Sequence, residues 1–310
     1  MIVGLGLTAV LLVLASPREV AGAFRSAAPV WIAAAIGLVL VDRVLMAYRW
    51  LLLLRAVGHA RHVPFGAVMR VFFTSNFVGA FLPASVGADA VRAFSLSRLK
   101  VPHAEALASV LVDRLLGVVS VVIMAVGGLV VVRHLISGWA LAGIMAMALG
   151  VLAGSLLLLF DSRVASGVLR RLVPQRFPRV HRIAERVLGA IRQYGDHRQT
   201  LATVLVASIG VQVLRTITAW CLGVALGIPT ALIWYFAWLP VIILVMLLPI
   251  TPAGLGTGQA AFQLLFGLNG VPAPDALALS MLFVGLSFVG ILPGGFLYAF
   301  GPRQSERPRP

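Results

Sequence analysis

Long apolar runs separated by short polar loops account for most of this chain. The runs long enough to cross a bilayer, which takes about 20 residues of helix, are residues 30–54, 104–132, 139–160, 201–226 and 276–300. Residues 1–15 form a shorter run, which we interpret as a first membrane helix rather than a signal peptide, because no basic residue precedes it. The pattern predicts an all-α, polytopic integral membrane protein with six spanning helices in one transmembrane domain, residues 1–310.

Two further apolar stretches, residues 65–94 and 231–268, are interrupted by residues that break helices. Each stretch is too long for one upright helix and too short for two helices and a turn. We therefore predict two re-entrant hairpins, each entering and leaving the membrane on one side. The alternative is eight ordinary helices, two of them kinked by proline. The residues expected to shape the hairpin tips are Pro83, Gly87, Pro249, Pro252, Gly254 and Gly256.

Basic residues in the loops predict the topology, because arginine and lysine in short loops collect on the cytoplasmic side of membranes. The 161–200 loop carries nine arginines and is therefore predicted to be cytoplasmic. If the basic C-terminal tail also lies inside, the first hairpin must open inward and the second outward. Residues 30–132 and 201–300 then form an inverted repeat in the cytoplasmic membrane, as in alternating-access transporters, with both termini inside.

Within the 161–200 loop, apolar residues recur at helical spacing between positions 180 and 191, with arginines between them. This spacing predicts a basic amphipathic helix. Such a helix either lies on anionic lipid of the inner leaflet or packs on the cytoplasmic mouth of the protein.

The composition excludes a soluble globular domain, in which about 25% of residues are charged. Here 60% of residues are hydrophobic and 11% are charged, and the mean hydropathy is +1.02. The formal net charge of +15 comes from arginines between the spans, so we attribute it to topology and anionic lipid and predict no nucleic-acid binding.

The single cysteine and the spacing of the histidines indicate neither metal nor cofactor. Without a catalytic motif or a large hydrophilic region, we predict that the protein is not an enzyme.

Ionisable residues within the apolar runs are the strongest indication of function, because a charge at the bilayer centre costs about 2.5–3.5 kcal/mol. At about 1.5 Å per residue, Asp42 lies roughly 18 Å and Arg215 roughly 21 Å into their spans. Four arginines against three aspartates leave a surplus of one positive charge, which favours a phosphate ligand. The candidate substrate-binding residues are Asp42, Arg43, Asn76, Asp89, Arg92, Asp113, Arg114, Arg215 and Gln259.

Sequence spacing also predicts which of these charges contact each other. The neighbours Asp42 and Arg43 should point about 100° apart on a helix and not face each other, whereas Asp89 and Arg92, three residues apart, could pair locally. Arg215 has no acid in its own span and is expected to be open to substrate. The alternative is that these groups form ion pairs that only hold the helices together.

Aromatic residues near the predicted membrane boundaries are expected to form interfacial belts. Arg49 and Trp50 would lie at the cytoplasmic boundary, with the arginine reaching toward water. Trp234, Tyr235 and Trp238 would form an outer belt.

Four motifs in order resemble a known family. They are Tyr48-Arg49-Trp50 before a leucine run, Asn76 ahead of Leu82-Pro83 with Gly87, Asp89 and Arg92, then Asp113-Arg114-Leu115-Leu116-Gly117, and Leu248-Pro249-Ile250-Thr251-Pro252-Ala253-Gly254-Leu255-Gly256. Over nearly its whole length the chain resembles the flippase-like membrane domain of lysylphosphatidylglycerol synthases, which also occurs as free-standing membrane proteins.

This resemblance implies translocation of a membrane phospholipid, in the best-known members one with an amino-acid headgroup, from the inner to the outer leaflet. As an accessory subunit the protein would have a synthase or glycosyltransferase as its partner. The chain has Thr257-Gly258-Gln259 where an acidic residue commonly follows the last glycine of the family pattern. This difference leaves open another anionic lipid, such as a polyprenyl-phosphate-linked sugar. The alternatives are a carrier of small solutes or ions, a lipid-modifying enzyme and an accessory subunit.

Overall fold

The computed structural model describes residues 22, 24–25, 27–57, 63–81, 87–97, 99, 101–133, 138–160, 167, 178–247, 251, 254 and 256–300. Throughout these residues the regular structure is helical. The helices are α1 (Pro29–Ala56), α2 (Phe65–Ala80), α3 (Gly87–Ser97), α4 (His103–Val132), α5 (Gly138–Phe160), α6 (Pro178–Gln193), α7 (Arg198–Ala225), α8 (Leu232–Leu247), α9 (Thr257–Gly267), α10 (Ala273–Val289) and α11 (Leu292–Phe300). The predicted span at residues 1–15 and the predicted tip residues Pro83, Pro249 and Pro252 lie outside the described residues.

Four segments are long and apolar enough to cross a membrane: Pro29–Ala56, His103–Val132, Arg198–Ala225 and Ala273–Phe300. They correspond to four of the predicted spans. The span predicted at residues 139–160 corresponds to α5, of which Leu141–Ser155 is a shorter apolar helix.

The last predicted span is not one continuous helix. Helix α10 ends at Val289, and α11 begins at Leu292 after a turn at Gly290. Pro293 lies in the first turn of α11, where its missing N–H leaves no helical hydrogen bond unmade. The predicted span at residues 276–300 is therefore present, but two helices joined by a turn form it.

Each interrupted stretch folds back on itself. Gly79 of α2 lies so close to Ala88 of α3 that no Cβ would fit between them. In a continuous helix nine residues would span about 13 Å, so the chain must reverse between these positions. In the second stretch, a Cβ on Gly254 would lie 2.9 Å from the Met246 side chain, and Gly254 has a φ of 69° that L side chains rarely adopt. The chain therefore reverses direction within both stretches, which a single helix kinked by proline would not allow.

The helices before and after the basic loop have matching lengths. In chain order, α1 to α4 contain 28, 16, 11 and 30 residues. Helices α7, α8 and α9 contain 28, 16 and 11 residues, and the last segment, Ala273–Phe300, contains 28. Helix α1 packs along α7, α2 packs on α11, and α8 packs on α4.

Glycines allow two of these helix pairs to come very close. A Cβ on Gly128 of α4 would lie 2.7 Å from the Phe236 carbonyl oxygen of α8. A Cβ on Gly294 of α11 would likewise clash with the Phe73 carbonyl group of α2. At both sites a small residue lets two backbones touch, as is common where helices pack in membranes.

The basic loop contains the predicted amphipathic helix, α6. Its residues Val187 and Ala190 are buried against the ends of α1, α4 and α7, together with Tyr194 just beyond it. Arg182 and Arg186 are exposed. Burial, with Glu105 and Asp113 nearby, raises the pKa of the Tyr194 hydroxyl, so that it stays neutral. Of the two alternatives for this helix, the structure therefore favours the one in which its apolar face packs on protein rather than on lipid.

The predicted outer aromatic belt is also wrong for two of its three residues. Tyr235 and Trp238 are fully buried in the main hydrophobic core. The Trp238 indole N–H donates a hydrogen bond of 2.5 Å to Asn269 Oδ1. Because α8 packs on α4 and α9, this aromatic cluster faces the protein interior.

Candidate substrate-binding site

A line of polar residues runs along the contact between α1 and α7. Asp42 and Arg49 are seven residues apart on α1, and so are Ser208 and Arg215 on α7, which places each pair on one helix face. The two helices are antiparallel. Arg215 Nε therefore lies 3.3 Å from Asp42 Oδ1 at one end of the line, and Arg49 Nη1 donates to Ser208 Oγ over 2.9 Å at the other.

The Asp42 end of this line opens into a cavity of about 250 Å³. Its polar lining comes from Asp42, Arg43 and Arg215, with Thr218 and Ser287. The rest of the lining is apolar and includes residues 246 and 247 of α8, which lead directly into the second chain reversal. The cavity thus lies beside the second predicted hairpin tip.

Two arginines share one carboxylate in this cavity. Arg43 Nη1 lies 3.5 Å from Asp42 Oδ2, and Arg215 Nε lies 3.3 Å from Asp42 Oδ1. Both distances exceed the roughly 2.7–2.9 Å of a good charge-assisted hydrogen bond. Both arginines also contact the Met46 sulfur, a weak acceptor, at 3.7 and 3.3 Å. We call Asp42, Arg43 and Arg215 the cavity cluster.

One prediction about the cavity cluster is wrong, and another needs a partner added. The neighbours Asp42 and Arg43 do contact each other, because the long arginine side chain bends back across the angle between their positions. As the sequence indicates, Arg215 has no acid in its own helix; it pairs with Asp42 of α1 and still lines the cavity.

A second ionic cluster lies beside the first hairpin. Arg49 Nε donates to Asp113 Oδ1 over 2.8 Å, and Arg92 Nη1 lies 3.6 Å from Asp113 Oδ2. The three side chains are at most 5% exposed. The Arg92 guanidinium also lies over the rings of Trp50 and Phe72, 5.0 and 4.7 Å from their centroids. We call Arg49, Arg92 and Asp113 the hairpin cluster.

The partners in and around the hairpin cluster differ from those predicted. Asp89 pairs with Arg114 and not with Arg92, so α3 is tied to α4 by two ion pairs instead of carrying an internal one. Arg49 and Trp50 are buried and do not form a boundary belt. The Trp50 indole donates to Ser109 Oγ over 3.2 Å. Sequence spacing could have revealed Arg49, because it lies two helical turns after Asp42.

The two amide candidates lie apart from the cavity. Asn76 Nδ2 donates over 2.8 Å to the Phe72 carbonyl one turn earlier in α2. Gln259 Oε1 accepts a 2.6 Å hydrogen bond from the Gly256 backbone N–H. Since Gly256 has a φ of 85°, Gln259 fixes the backbone where the second hairpin enters α9.

Replacement of Gln259 by alanine is expected to lower the free energy of unfolding by about 1 kcal/mol, the usual cost of losing a helix-capping hydrogen bond. Chemical unfolding of the purified protein in detergent measures the change. Gln199→Ala, at an exposed position in the first turn of α7, provides the control and should change stability by less than about 0.5 kcal/mol. Equal effects of the two substitutions would contradict the capping role.

Comparisons with known proteins find membrane proteins. The family model of the lysylphosphatidylglycerol synthase TM region matches residues 1–295. A UPF0104 membrane protein of Methanothermobacter thermautotrophicus is 24% identical over 302 residues, covering 88% of this chain and 85% of that protein. No solved structure matches. Because the family model covers nearly the whole chain, this membrane protein belongs to the family of the lysylphosphatidylglycerol synthase transmembrane region.

Proposed function

We propose that the protein moves a phospholipid, with or without an aminoacyl headgroup, between the leaflets of the cytoplasmic membrane, and that it is not itself an enzyme. The observation that supports this most directly is the cavity cluster. It places two arginines and one aspartate in a cavity between apolar helices, beside a chain reversal. Charges at such depth are costly, so they are usually kept for a substrate or ion pathway.

The size and lining of the cavity suit a headgroup better than a whole lipid. At about 250 Å³ it is below the roughly 300–1,000 Å³ of sites that enclose a drug-sized ligand. Val41, Val44 and Tyr48 of α1 are exposed on the helix that carries Asp42. In the proposed mechanism the headgroup occupies the cavity while the acyl chains remain in the bilayer along such surfaces.

We further propose that residues 30–132 and 201–300 form an inverted repeat with two re-entrant hairpins. The similar helix lengths in the two halves support this arrangement, as does the antiparallel packing of α1 on α7, the first helix of each half. The way each hairpin packs on the other half supports it too: α8 lies on α4, and α2 lies on α11. Rocking of such halves about the site between them would give alternating access.

The proposed orientation places the 161–200 loop and both termini in the cytoplasm. The exposed arginines of α6 would then face the anionic lipids of the inner leaflet, each contributing about 1 kcal/mol of attraction near the surface. A synthase or glycosyltransferase that produces the transported lipid is the proposed partner on that side.

Purified protein in vesicles should accelerate the crossing of lipids that carry a fluorescent acyl chain, measured by their accessibility to a membrane-impermeant quencher. Arg215→Gln is expected to slow the crossing about tenfold or more, because a charged hydrogen-bond donor to the headgroup is lost. Arg70→Gln, at an exposed position of α2, is the matched control. With this variant, lipid should cross the membrane at the wild-type rate.

The same vesicles distinguish the proposal from its alternatives. No acceleration by correctly folded protein would contradict lipid translocation. Uptake of a water-soluble solute would instead indicate a solute carrier, and a chemically altered lipid would indicate an enzyme.

A further inference from the structure

We propose that the cavity cluster binds a phosphodiester headgroup with one net negative charge and disfavours a cationic, aminoacylated headgroup, and that Asp42 sets this preference. The inference rests on the proposed function and specifies the substrate. Its basis is the imbalance between two guanidinium groups and one carboxylate in a partly buried cavity.

Hydrogen-bond acceptors are scarce in the cavity. The Asp42 oxygens lie 3.3 and 3.5 Å from Arg215 and Arg43. Both arginines also contact the Met46 sulfur, which is a weak acceptor. Arg43 Nε is buried and has no acceptor among the described residues. Leaving a buried donor unsatisfied is costly, so the site favours a ligand that brings oxygen acceptors. Phosphate oxygens fit this requirement, because guanidinium groups bind them through paired hydrogen bonds.

The charge balance favours one negative charge on the ligand. Two arginines against one aspartate leave a formal surplus of +1 in the cavity cluster, which a phosphodiester would neutralise. Thr218 Oγ1, which also lines the cavity, already donates to the Leu214 carbonyl and adds no charge. Because much of the lining is apolar, these charges are weakly screened and act strongly on a headgroup.

A cationic headgroup would meet the opposite conditions. Its ammonium group needs acceptors. Among the described residues that line the cavity, Asp42 is the one acid, and two arginines already share it. The Gln259 carbonyl oxygen, on the neighbouring hairpin, is taken by the Gly256 N–H. The added positive charge would also increase repulsion from Arg43 and Arg215.

Asp42 acts as the specificity-determining residue in this account. Its replacement by asparagine keeps the shape of the side chain but raises the local surplus from one positive charge to two. The variant should therefore shift its preference from phosphodiesters to phosphomonoesters, which carry about −1.5 to −2 charges at pH 7. A residue with only a structural role would not change the order of preference among headgroups.

The test measures binding and crossing separately, with four lipid probes that carry the same labelled acyl chain. The probes are phosphatidylglycerol, zwitterionic phosphatidylethanolamine, cationic lysyl-phosphatidylglycerol and the phosphomonoester phosphatidate. Binding is measured in detergent by competition against labelled phosphatidylglycerol, and crossing is measured in vesicles. Glycerol 3-phosphate and inorganic phosphate compete in a further binding assay, to separate a lipid headgroup from a soluble phosphate.

We expect the wild-type protein to bind and move phosphatidylglycerol at least tenfold better than the cationic probe. Asp42→Asn should favour phosphatidate over phosphatidylglycerol. Arg43→Lys and Arg215→Lys, which keep the charge but lose the planar fork, should weaken binding and retain the preference for anions. Asp196→Asn, at an exposed position, should leave all four probes unchanged.

Failure of this inference can be distinguished from failure of the proposed function. Crossing of all probes at equal rates, or preference for the cationic one, would overturn the inference and leave lipid translocation standing. Competition by the soluble phosphates without any lipid crossing would overturn the assignment to a lipid headgroup, and the proposed function with it. If the Asp42→Asn variant keeps the same order of preference among the headgroups, Asp42 does not set the preference.

Discussion

Asp113→Asn is expected to lower the free energy of unfolding by about 3–5 kcal/mol, because it leaves buried arginines without their carboxylate. Asp113 accepts from Arg49 at 2.8 Å and lies 3.6 Å from Arg92, and all three side chains are almost fully buried. Asparagine has nearly the same shape, so packing is preserved while the charge is lost. Unfolding of the purified protein in detergent, followed by circular dichroism, measures the effect.

Two further variants show whether the effect arises from unpaired charge. Asp196→Asn makes the same chemical change at an exposed site and should alter stability by less than about 0.5 kcal/mol. Adding Arg49→Gln to Asp113→Asn removes one of the unpaired charges and should recover part of the lost stability. If Asp113→Asn is as stable as the wild type, the hairpin cluster does not hold the helices together.

Gly128→Leu is expected to lower the free energy of unfolding by about 3 kcal/mol, at the upper end of the usual range for overpacking. A Cβ at this position would already lie 2.7 Å from both the Phe236 carbonyl oxygen and the Ala237 Cα. Pro240 lacks the N–H that would normally bond the Phe236 carbonyl, so this carbonyl loses its usual helical donor where it faces α4. The contact is between two backbones, which cannot move aside as a side chain could.

The adjacent glycine provides a matched control for this prediction. Gly127 is exposed, and nothing lies within 4 Å of a Cβ built on it. Gly127→Leu should therefore be neutral or stabilising, since glycine costs a helix about 0.5–1 kcal/mol relative to alanine. If the two leucine variants have the same free energy of unfolding, the close approach of α4 and α8 is not required for stability.

The two ionic clusters differ in ways that suggest different roles. Asp113 has one short contact and its side chain is 3% exposed, so the hairpin cluster fits the structural alternative, in which buried ion pairs fix the packing of helices. In the cavity cluster the contacts are longer, the Arg215 side chain is 27% exposed, and an open volume adjoins it. Substrate binding is therefore proposed for the cavity cluster alone.

Much of the fold followed from the order of apolar and polar residues along the chain. The four long apolar segments lie where the pattern places them, because membrane helices must satisfy their own backbone hydrogen bonds and so appear in sequence as long apolar runs. The chain reversals were also predicted, because the interrupted stretches are too long for one upright helix and too short for two helices and a turn. Proline alone does not decide this, since Pro240 lies within α8. The motif resemblance indicated the family, and the match over residues 1–295 confirms it.

Ion pairing was predicted poorly, because it depends on which helices are neighbours. Asp42, Arg92 and Arg215 all have partners on other helices, between 21 and 173 residues away in sequence. The burial of Arg49, Tyr235 and Trp238 has the same cause, because a residue that looks interfacial by its position in a span becomes interior when another helix covers it.

The sequence by itself determined that this protein is a helical membrane protein of a known family, with two chain reversals and several costly charges within its apolar segments. These properties depend on local hydrophobicity and backbone preference, which each segment carries on its own. Only the tertiary structure decided which charges neutralise one another and which border open space. The antiparallel packing of α1 on α7 creates that distinction, because it brings Asp42 to Arg215 beside a cavity and Arg49 to Ser208 in the packed interior.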